Sequence, residues 1–131
     1  VDDYGHHPTE ISVTLEAARR YADSGKVIVI FQPHRYSRTA AFVDQFALSL
    51  DKADDVTLLE IYAASEKPIP GVTSALIAEK MQHGVYLPNF AQATERVVNL
   101  AHPGDVIMTL GAGDVNSLAA FIAEGLAERF A

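Results

Sequence analysis

The hydrophobic positions of the chain follow two alternating patterns, and the first is typical of buried strands. Residues 26–31 (Lys-Val-Ile-Val-Ile-Phe) form a run of mainly β-branched residues with no polar alternation, and residues 105–110 (Asp-Val-Ile-Met-Thr-Leu) form a similar run. A strand that is covered on both faces needs apolar side chains in both directions, as in parallel sheets. This pattern predicts strands over 26–31, 55–61, 85–87 and 105–110.

The second pattern places apolar residues three or four positions apart, which is typical of helices packed on one side. In the segment 9–23, Ile11 and Leu15 fall on one face, Thr9 can cap the start, and Gly25 follows the end. Similar spacing predicts helices over 9–23, 39–50, 72–83, 90–102 and 115–130.

Strands and helices alternate along the whole chain, an order that requires right-handed crossovers and a parallel sheet. The sequence therefore predicts one domain over residues 1–131 with an α/β fold, namely a three-layer α/β/α Rossmann-like domain with a mostly parallel sheet. In such sheets, ligands bind beyond the carboxyl ends of the strands. The polar loop 32–38 and the turn 111–114 each follow a predicted strand, so we expect both at one edge of the sheet.

Composition narrows the class of protein. The chain has 131 residues, of which 49% are hydrophobic and 21% charged, enough apolar material for one core. It contains no cysteine, which excludes disulfides and thiolate metal sites and favours a reducing cytoplasm. No apolar run reaches the roughly 20 residues of a membrane helix. The net charge of −7 argues against a nucleic-acid partner, because phosphate neutralisation dominates that affinity.

The strongest candidate for chemistry is the run 31–38 (Phe-Gln-Pro-His-Arg-Tyr-Ser-Arg). Arg35 and Arg38 can clamp one carboxylate or phosphate, because each guanidinium presents a planar fork of donors. His34 could donate to the same anion, and the start of the following helix also favours negative charge. The alternative is a solvated loop whose arginines pair with nearby carboxylates, and charge and placement alone leave both interpretations open.

A second polar cluster occupies residues 2–8 (Asp-Asp-Tyr-Gly-His-His-Pro). Adjacent aspartates and histidines could bind a divalent metal or a ribose, or orient a substrate amine. A tight metal cage is disfavoured, because the neighbouring His6 and His7 point in different directions. The alternative is a polar entry segment to the first helix, in which Asp3 and Thr9 satisfy loop amides.

The turn 111–114 (Gly-Ala-Gly-Asp) resembles half of a dinucleotide-binding fingerprint, but Asn116 stands where the third glycine would be. A tight turn is therefore favoured over phosphate binding, although the glycines would allow a ligand close to the backbone. The chain has no G-x-x-x-x-G-K-[ST] and no G-x-S-x-G motif. It lacks the parts to activate ATP alone.

Taken together, the runs 2–8, 31–38 and 111–114 closely resemble the C-terminal domain of the Mur ligases, over essentially the whole chain. Within the family the pattern looks most similar to the branch that joins L-alanine to UDP-N-acetylmuramate. The branch that recycles murein tripeptide ranks second, because it does not usually carry the His-Arg-Tyr-Ser-Arg run.

The resemblance implies a bacterial, cytoplasmic, three-domain enzyme that uses ATP and Mg²⁺. An N-terminal domain would hold the UDP-sugar and a central domain the P-loop and magnesium ligands. This chain would close over the nucleotide and bring in the amino acid, and would be inactive alone. ATP would phosphorylate the muramate carboxylate, and the L-alanine amine would attack the acyl phosphate. The first residue is Val1, and a preceding segment is expected.

The resemblance also implies roles for individual residues, none of them as metal ligands. His34 would lie near the acyl phosphate as the catalytic group, and Asp3 would face the nucleotide. The residues around L-alanine would be Tyr4, His6, Arg35 and Arg38, with the arginines on its carboxylate. The residues lining the cleft would be His7, Gly111, Ala112, Gly113 and Asp114. Two other classes remain open: a free-standing Rossmann-like module for a small anion or nucleotide, and a purely structural domain.

Overall fold

Five strands form one sheet in the structure, a computed structural model that describes residues 2–3, 7–22, 24–111 and 117–130. The strands are β1 (Asp2–Asp3), β2 (Val27–Gln32), β3 (Asp55–Leu58), β4 (Gly84–Tyr86) and β5 (Val106–Gly111). Their order across the sheet is β1-β5-β2-β3-β4, and every pairing among them is parallel. The predicted parallel sheet is confirmed.

The described residues form six helices, of which five lie between strands and the sixth follows β5. They are α1 (Pro8–Ala22), α2 (Tyr36–Ala41), α3 (Val43–Leu50), α4 (Ala75–Glu79), α5 (Phe90–Leu100) and α6 (Leu118–Arg129). None of these helices is long and apolar enough to cross a membrane.

The central strand β2 divides the core into two halves, because its successive side chains point to opposite faces. Val29 and Phe31 pack with buried residues of α1, α3 and α4, whereas Ile28 and Ile30 pack with buried residues of α5 and α6. All six residues of β2 are buried, which explains its uninterrupted apolar run. Helices therefore cover both faces of the sheet, and the predicted three-layer α/β/α fold is confirmed.

The prediction of one helix over 39–50 is wrong. Two helices occupy the region, and they meet at Phe42, whose backbone leaves the helical conformation (φ −124°, ψ 24°). The Phe42 ring packs edge-on against Phe46, 6.5 Å between centroids, and lies 5.8 Å from the ring of His7. Helix α2 also begins earlier than predicted, at Tyr36, so that residues 36–38 are helical instead of part of a loop.

Other element boundaries also differ from the predictions. Helix α1 begins at Pro8, which suits a first helical turn, and the Thr9 amide donates to Nδ1 of His7, so that Thr9 is not the cap. The predicted helix over 72–83 is confined to α4. The amides of residues 82 and 83 donate to the Asp51 carboxylate instead of to helix carbonyls, which keeps these two residues outside the helix. The predicted strand over 55–61 ends at Leu58.

The carboxylate of Asp54 ties the first helix to the amino end of β2. Its Oδ2 atom accepts hydrogen bonds from Nη1 of Arg19 and from the amide of Val27, both at 2.7 Å. Burial alone would raise the pKa of Asp54. The hydrogen bonds from Arg19 and Val27, with the charges of Arg19 and Lys26, outweigh burial and hold the pKa below its ordinary value of 3.8.

The lowered pKa of Asp54 predicts a specific loss of stability in acid. Because the folded pKa lies below the unfolded one, the contribution is complete above about pH 4 and is lost as the pH falls through the folded pKa. We expect Asp54→Asn to flatten the fall of the unfolding free energy in this range, measured by urea denaturation at several pH values. The effect should be at most about 1 kcal/mol, since both partners are partly exposed. Equal acid slopes for the two proteins would contradict the assignment.

Candidate functional site

The described parts of the three polar runs lie at one edge of the sheet, at the carboxyl ends of three adjacent strands. In β1, Asp3 pairs with Leu110 of β5, and at the next position Gly111 pairs with Gln32 of β2. The expectation that the loop 32–38 and the turn 111–114 share an edge is confirmed for their first residues, Gln32 and Gly111. The short strand β1 places the first two residues of the run 2–8 beside them.

Gly111 allows an unusually close approach between β5 and β2. A Cβ atom at this position would lie 2.1 Å from the carbonyl oxygen of Gln32, far inside van der Waals contact. The backbone of Gly111 also has φ +113°, a conformation that L residues rarely adopt. The glycine is therefore required by the geometry of the sheet edge, whether or not a ligand lies against it.

The segment after β2 is fastened to the loop after β3 by main-chain hydrogen bonds. The amide of Tyr62 donates to the carbonyl of Pro33, and the amide of Arg35 donates to the carbonyl of Tyr62, both at 2.8 Å. The half-buried His34 ring stacks on the ring of Tyr62, 6.1 Å between centroids and tilted by 20°. These contacts fix His34 at the carboxyl edge.

Arg35 has a strained backbone, with φ 69° and ψ 143°. A residue with a side chain in such a region costs of order 1–3 kcal/mol and persists only when its surroundings hold it there. Here the carbonyl of Arg35 accepts hydrogen bonds from the amide and the hydroxyl of Thr39, at 3.2 and 2.8 Å, and Thr39 is fully buried. The strained conformation begins helix α2 immediately after Arg35.

The guanidiniums of Arg35 and Arg38 have no ion-pair partner within the described ranges. Arg35 is exposed and Arg38 is half-buried. By contrast, Arg19 lies 2.7 Å from Asp54, and Arg96 makes a two-pronged contact with Asp55 at 2.6 and 2.8 Å. The described residues therefore do not show the internal ion pairs that a purely structural role for Arg35 and Arg38 would produce.

The first turn of α2 already has an anion of its own. The Glu66 carboxylate accepts the amide of Ser37 at 2.9 Å through Oε1 and the hydroxyl of Ser37 at 2.5 Å through Oε2. These two hydrogen bonds lower the pKa of Glu66. The sequence predicts that amides here favour a ligand anion, but the Ser37 amide donates to Glu66, so a ligand would depend on the guanidiniums instead.

The carboxyl edge also carries Gln32 and two residues that the sequence did not indicate, Glu60 and Tyr86. Gln32 is 6% exposed, its Nε2 donates to the Glu60 carbonyl at 3.2 Å, and its buried Oε1 has no partner among the described residues. The hydroxyl of Tyr86 donates to Oε2 of Glu60 at 2.6 Å. Burial and this hydrogen bond to Glu60 raise the pKa of Tyr86 to about 12, so the hydroxyl stays protonated and fixes the Glu60 carboxylate.

The first polar run is only partly described. His7 is exposed and contacts Phe42 at the junction of α2 and α3, which brings the start of α1 against the end of α2. The main chain of Asp3 lies in β1. The other predicted site residues, Tyr4, His6, Ala112, Gly113 and Asp114, lie outside the described residues.

Within the described part of the chain, no group of three or more histidine, aspartate or glutamate side chains is placed to hold a metal ion.

A groove of about 560 Å³ between α5 and α6 contains none of the predicted site residues and is lined mainly by apolar groups, among them Phe90, Leu118 and Phe121. Of the predicted site residues that are described, His34, Arg35 and Gly111 lie at the carboxyl edge and not in this groove.

Comparisons with known proteins agree with this architecture. The family model described as Mur ligase, glutamate ligase domain, matches residues 1–113. The chain is 50% identical over 135 residues to a UDP-N-acetylmuramate–L-alanine ligase of Thermobifida fusca, and the match covers 95% of this chain and 29% of that protein. The chain thus spans less than a third of the length of this relative.

Solved structures show the same fold. A murein peptide ligase of Psychrobacter arcticus has a TM-score of 0.74 at 19% identity, covering 94% of this chain and 26% of that one. A UDP-N-acetylmuramate-alanine ligase of Thermotoga maritima has a TM-score of 0.71 at 23% identity, covering 97% and 26%. Since the family match extends over 113 of the 131 residues, the chain belongs to the Mur ligase family and represents its glutamate ligase domain.

Proposed function

We propose that this chain is the amino-acid-binding and nucleotide-closing domain of a ligase that uses ATP to join L-alanine to UDP-N-acetylmuramate in peptidoglycan biosynthesis. The observation that carries the proposal is the pair Arg35 and Arg38, which stand at the carboxyl edge of the sheet without an ion pair among the described residues. The relative at 50% identity bears the name of this activity.

The placement of Arg35 and Arg38 suits the carboxylate of an amino acid. Arg35 immediately precedes α2 and Arg38 is the third residue of that helix, so the two lie about one helical turn apart. Two planar forks at this spacing can engage both oxygens of one carboxylate, and charge-assisted hydrogen bonds of this kind are worth about 1.5–3 kcal/mol each. In a chain with a net charge of −7, such a cationic pair is a specific feature.

Holding the amino acid by its carboxylate would orient its amine for attack on an acyl phosphate, and correct orientation is a large part of catalysis between two substrates. His34 is the proposed catalytic group, because a donor near the tetrahedral intermediate stabilises developing charge. Its stacking on Tyr62 keeps the ring in place without recruiting Arg35 or Arg38. Tyr4 and His6 would complete the L-alanine pocket, Asp3 would face the nucleotide, and His7 with residues 111–114 would line the cleft.

ATP and Mg²⁺ would be bound elsewhere in the full-length enzyme. The chain has no G-x-x-x-x-G-K-[ST] motif, and its described residues include no cluster suited to a metal ion. We therefore place the P-loop and magnesium ligands on a central domain and the UDP-sugar on an N-terminal domain, in a three-domain cytoplasmic enzyme of which residues 1–131 form one domain. Alone, this chain would be inactive.

The proposal predicts a selective defect in the full-length enzyme. Arg38→Ala should raise the KM for L-alanine about 10-fold or more, because one charge-assisted contact to the carboxylate is lost, and should change the KM for UDP-N-acetylmuramate less than about twofold. Steady-state kinetics with each substrate varied in turn would measure both. Arg19→Ala is the matched control, since Arg19 pairs with Asp54 at the amino edge. Equal increases in both KM values would argue against the assignment.

A further inference from the structure

We propose that Glu66 is a positioning residue for the amino-acid site, which holds Arg35 and Arg38 in the geometry that binds the carboxylate; this inference rests on the proposed function. Glu66 lies in the long loop after β3, 29 residues beyond Ser37 in the sequence. Ser37 stands between the two arginines, and Glu66 binds it through both carboxylate oxygens.

The contact is well suited to fix an orientation. One oxygen of Glu66 accepts the main-chain amide of Ser37 and the other accepts its hydroxyl, at 2.9 and 2.5 Å. Two hydrogen bonds to one residue restrict the rotation of its peptide plane as well as the distance between Ser37 and the Glu66 carboxylate. Because Ser37 lies in the first turn of α2, this plane sets the directions in which residues 35 and 38 project.

The loop that carries Glu66 is shaped to present it. Ala64 and Ser65 both have positive φ values, 51° and 70°, and the amide of Glu66 closes the turn on the carbonyl of Ala63 at 3.0 Å. Two successive residues with side chains in this conformation are unfavourable unless the surroundings hold them there. The same loop holds the strained Arg35, whose amide donates to Tyr62.

Glu66 holds the first turn of α2 without neutralising the charge of Arg35. The charge of Arg35 contributes to lowering the pKa of Glu66, yet the two side chains do not form an ion pair. The carboxylate is directed at Ser37 instead, which leaves the guanidinium available to a ligand. A residue that served only to balance charge would be expected to contact the arginine directly.

The test uses the full-length ligase with L-alanine, ATP and UDP-N-acetylmuramate as substrates. Glu66→Ala should raise the KM for L-alanine about 10-fold while kcat and the KM for the UDP-sugar change less than about twofold. Glu66→Gln retains one acceptor oxygen and should raise the KM for L-alanine about 3-fold, and Ser37→Ala should raise it by the same factor. Because the residues act through one contact, Ser37→Ala should add little in the Glu66→Ala background. The control is Glu95→Ala, an exposed carboxylate on α5, which should change neither KM.

The outcomes separate this inference from the proposed function. A lower Tm with an unchanged KM for L-alanine in the Glu66 variants would show a helix cap only and overturn the inference, provided that Arg38→Ala still raises this KM. If Arg38→Ala leaves the KM for L-alanine unchanged, the proposed function itself fails. Should Glu66→Ala not fold, the conservative Glu66→Gln and Ser37→Ala decide: a selective rise in the KM for L-alanine supports the inference, and no change overturns it.

Discussion

Replacing Gly111 by alanine should destabilise the chain by more than about 4 kcal/mol, a loss that few single substitutions reach. The added Cβ atom would lie 2.1 Å from the carbonyl oxygen of Gln32 and 3.0 Å from its carbonyl carbon. These are main-chain atoms of the central strand, which cannot move aside as the end of a flexible side chain can. To relieve the clash, β5 would have to separate from β2 at the edge where the predicted site lies.

The experiment measures the unfolding free energy by urea denaturation of Gly111→Ala beside Gly71→Ala. Gly71 also has a positive φ, +80°, but an added Cβ would meet nothing within 4 Å. Its substitution should cost about 1–2 kcal/mol through backbone strain alone. The difference between the two variants isolates the steric term. If Gly111→Ala were no more destabilising than Gly71→Ala, the close approach of β5 to β2 would be contradicted.

The central part of the fold could be predicted because burial on both faces leaves a strong signal in the sequence. Strand β2 is buried along its whole length, and its run of apolar residues gives its position almost to the residue. Strand β1 gave no such signal, because it consists of Asp2 and Asp3 only and depends on pairing with β5. The break at Phe42 was missed for a similar reason, since it depends on ring contacts with His7 and Phe46.

The site residues likewise include some that the sequence indicates and some that only the tertiary structure reveals. Arg35 and Arg38 stood out because the chain has only ten lysines and arginines, and these two lie close together after a buried strand. Glu66 and Tyr62 could not be found, because each reaches the arginine segment from a loop that is distant in sequence. Isolated polar residues in a loop carry no periodicity, so their roles depend on the tertiary structure.

The structure also shows that a strained conformation and a proposed binding group coincide at Arg35. The non-glycine backbone at φ 69° is held by hydrogen bonds to Tyr62 and Thr39. Residues held in this way cluster at functional sites, where stability is given up for a fixed geometry. A glycine at this position would be favourable for the backbone, but it would remove the guanidinium that the proposed function requires.

Because the backbone at this position favours glycine whereas the proposed function requires the guanidinium, we expect Arg35→Gly and Arg35→Ala to differ in stability but not in function. Both remove the guanidinium, and in the full-length enzyme both should raise the KM for L-alanine towards about 100-fold, the upper end of the range for a charged hydrogen bond, because the held backbone pre-orients this side chain. Only glycine relieves the backbone strain, which is worth of order 1–3 kcal/mol, against an entropic cost of about 0.5–1 kcal/mol in the unfolded state.

The net expectation is that Arg35→Gly is more stable than Arg35→Ala by about 1 kcal/mol, or about 4 °C in Tm for a chain of this size. Thermal unfolding of the two variants measures this difference directly, and their kinetics provide the functional comparison. The alanine variant is the matched control, since it lacks the same side chain but keeps the left-handed conformation. Equal stabilities would contradict a strained backbone at Arg35, whereas an unchanged KM for L-alanine in both variants would contradict a role for its guanidinium. The two results are independent because strain lies in the main chain and binding in the side chain.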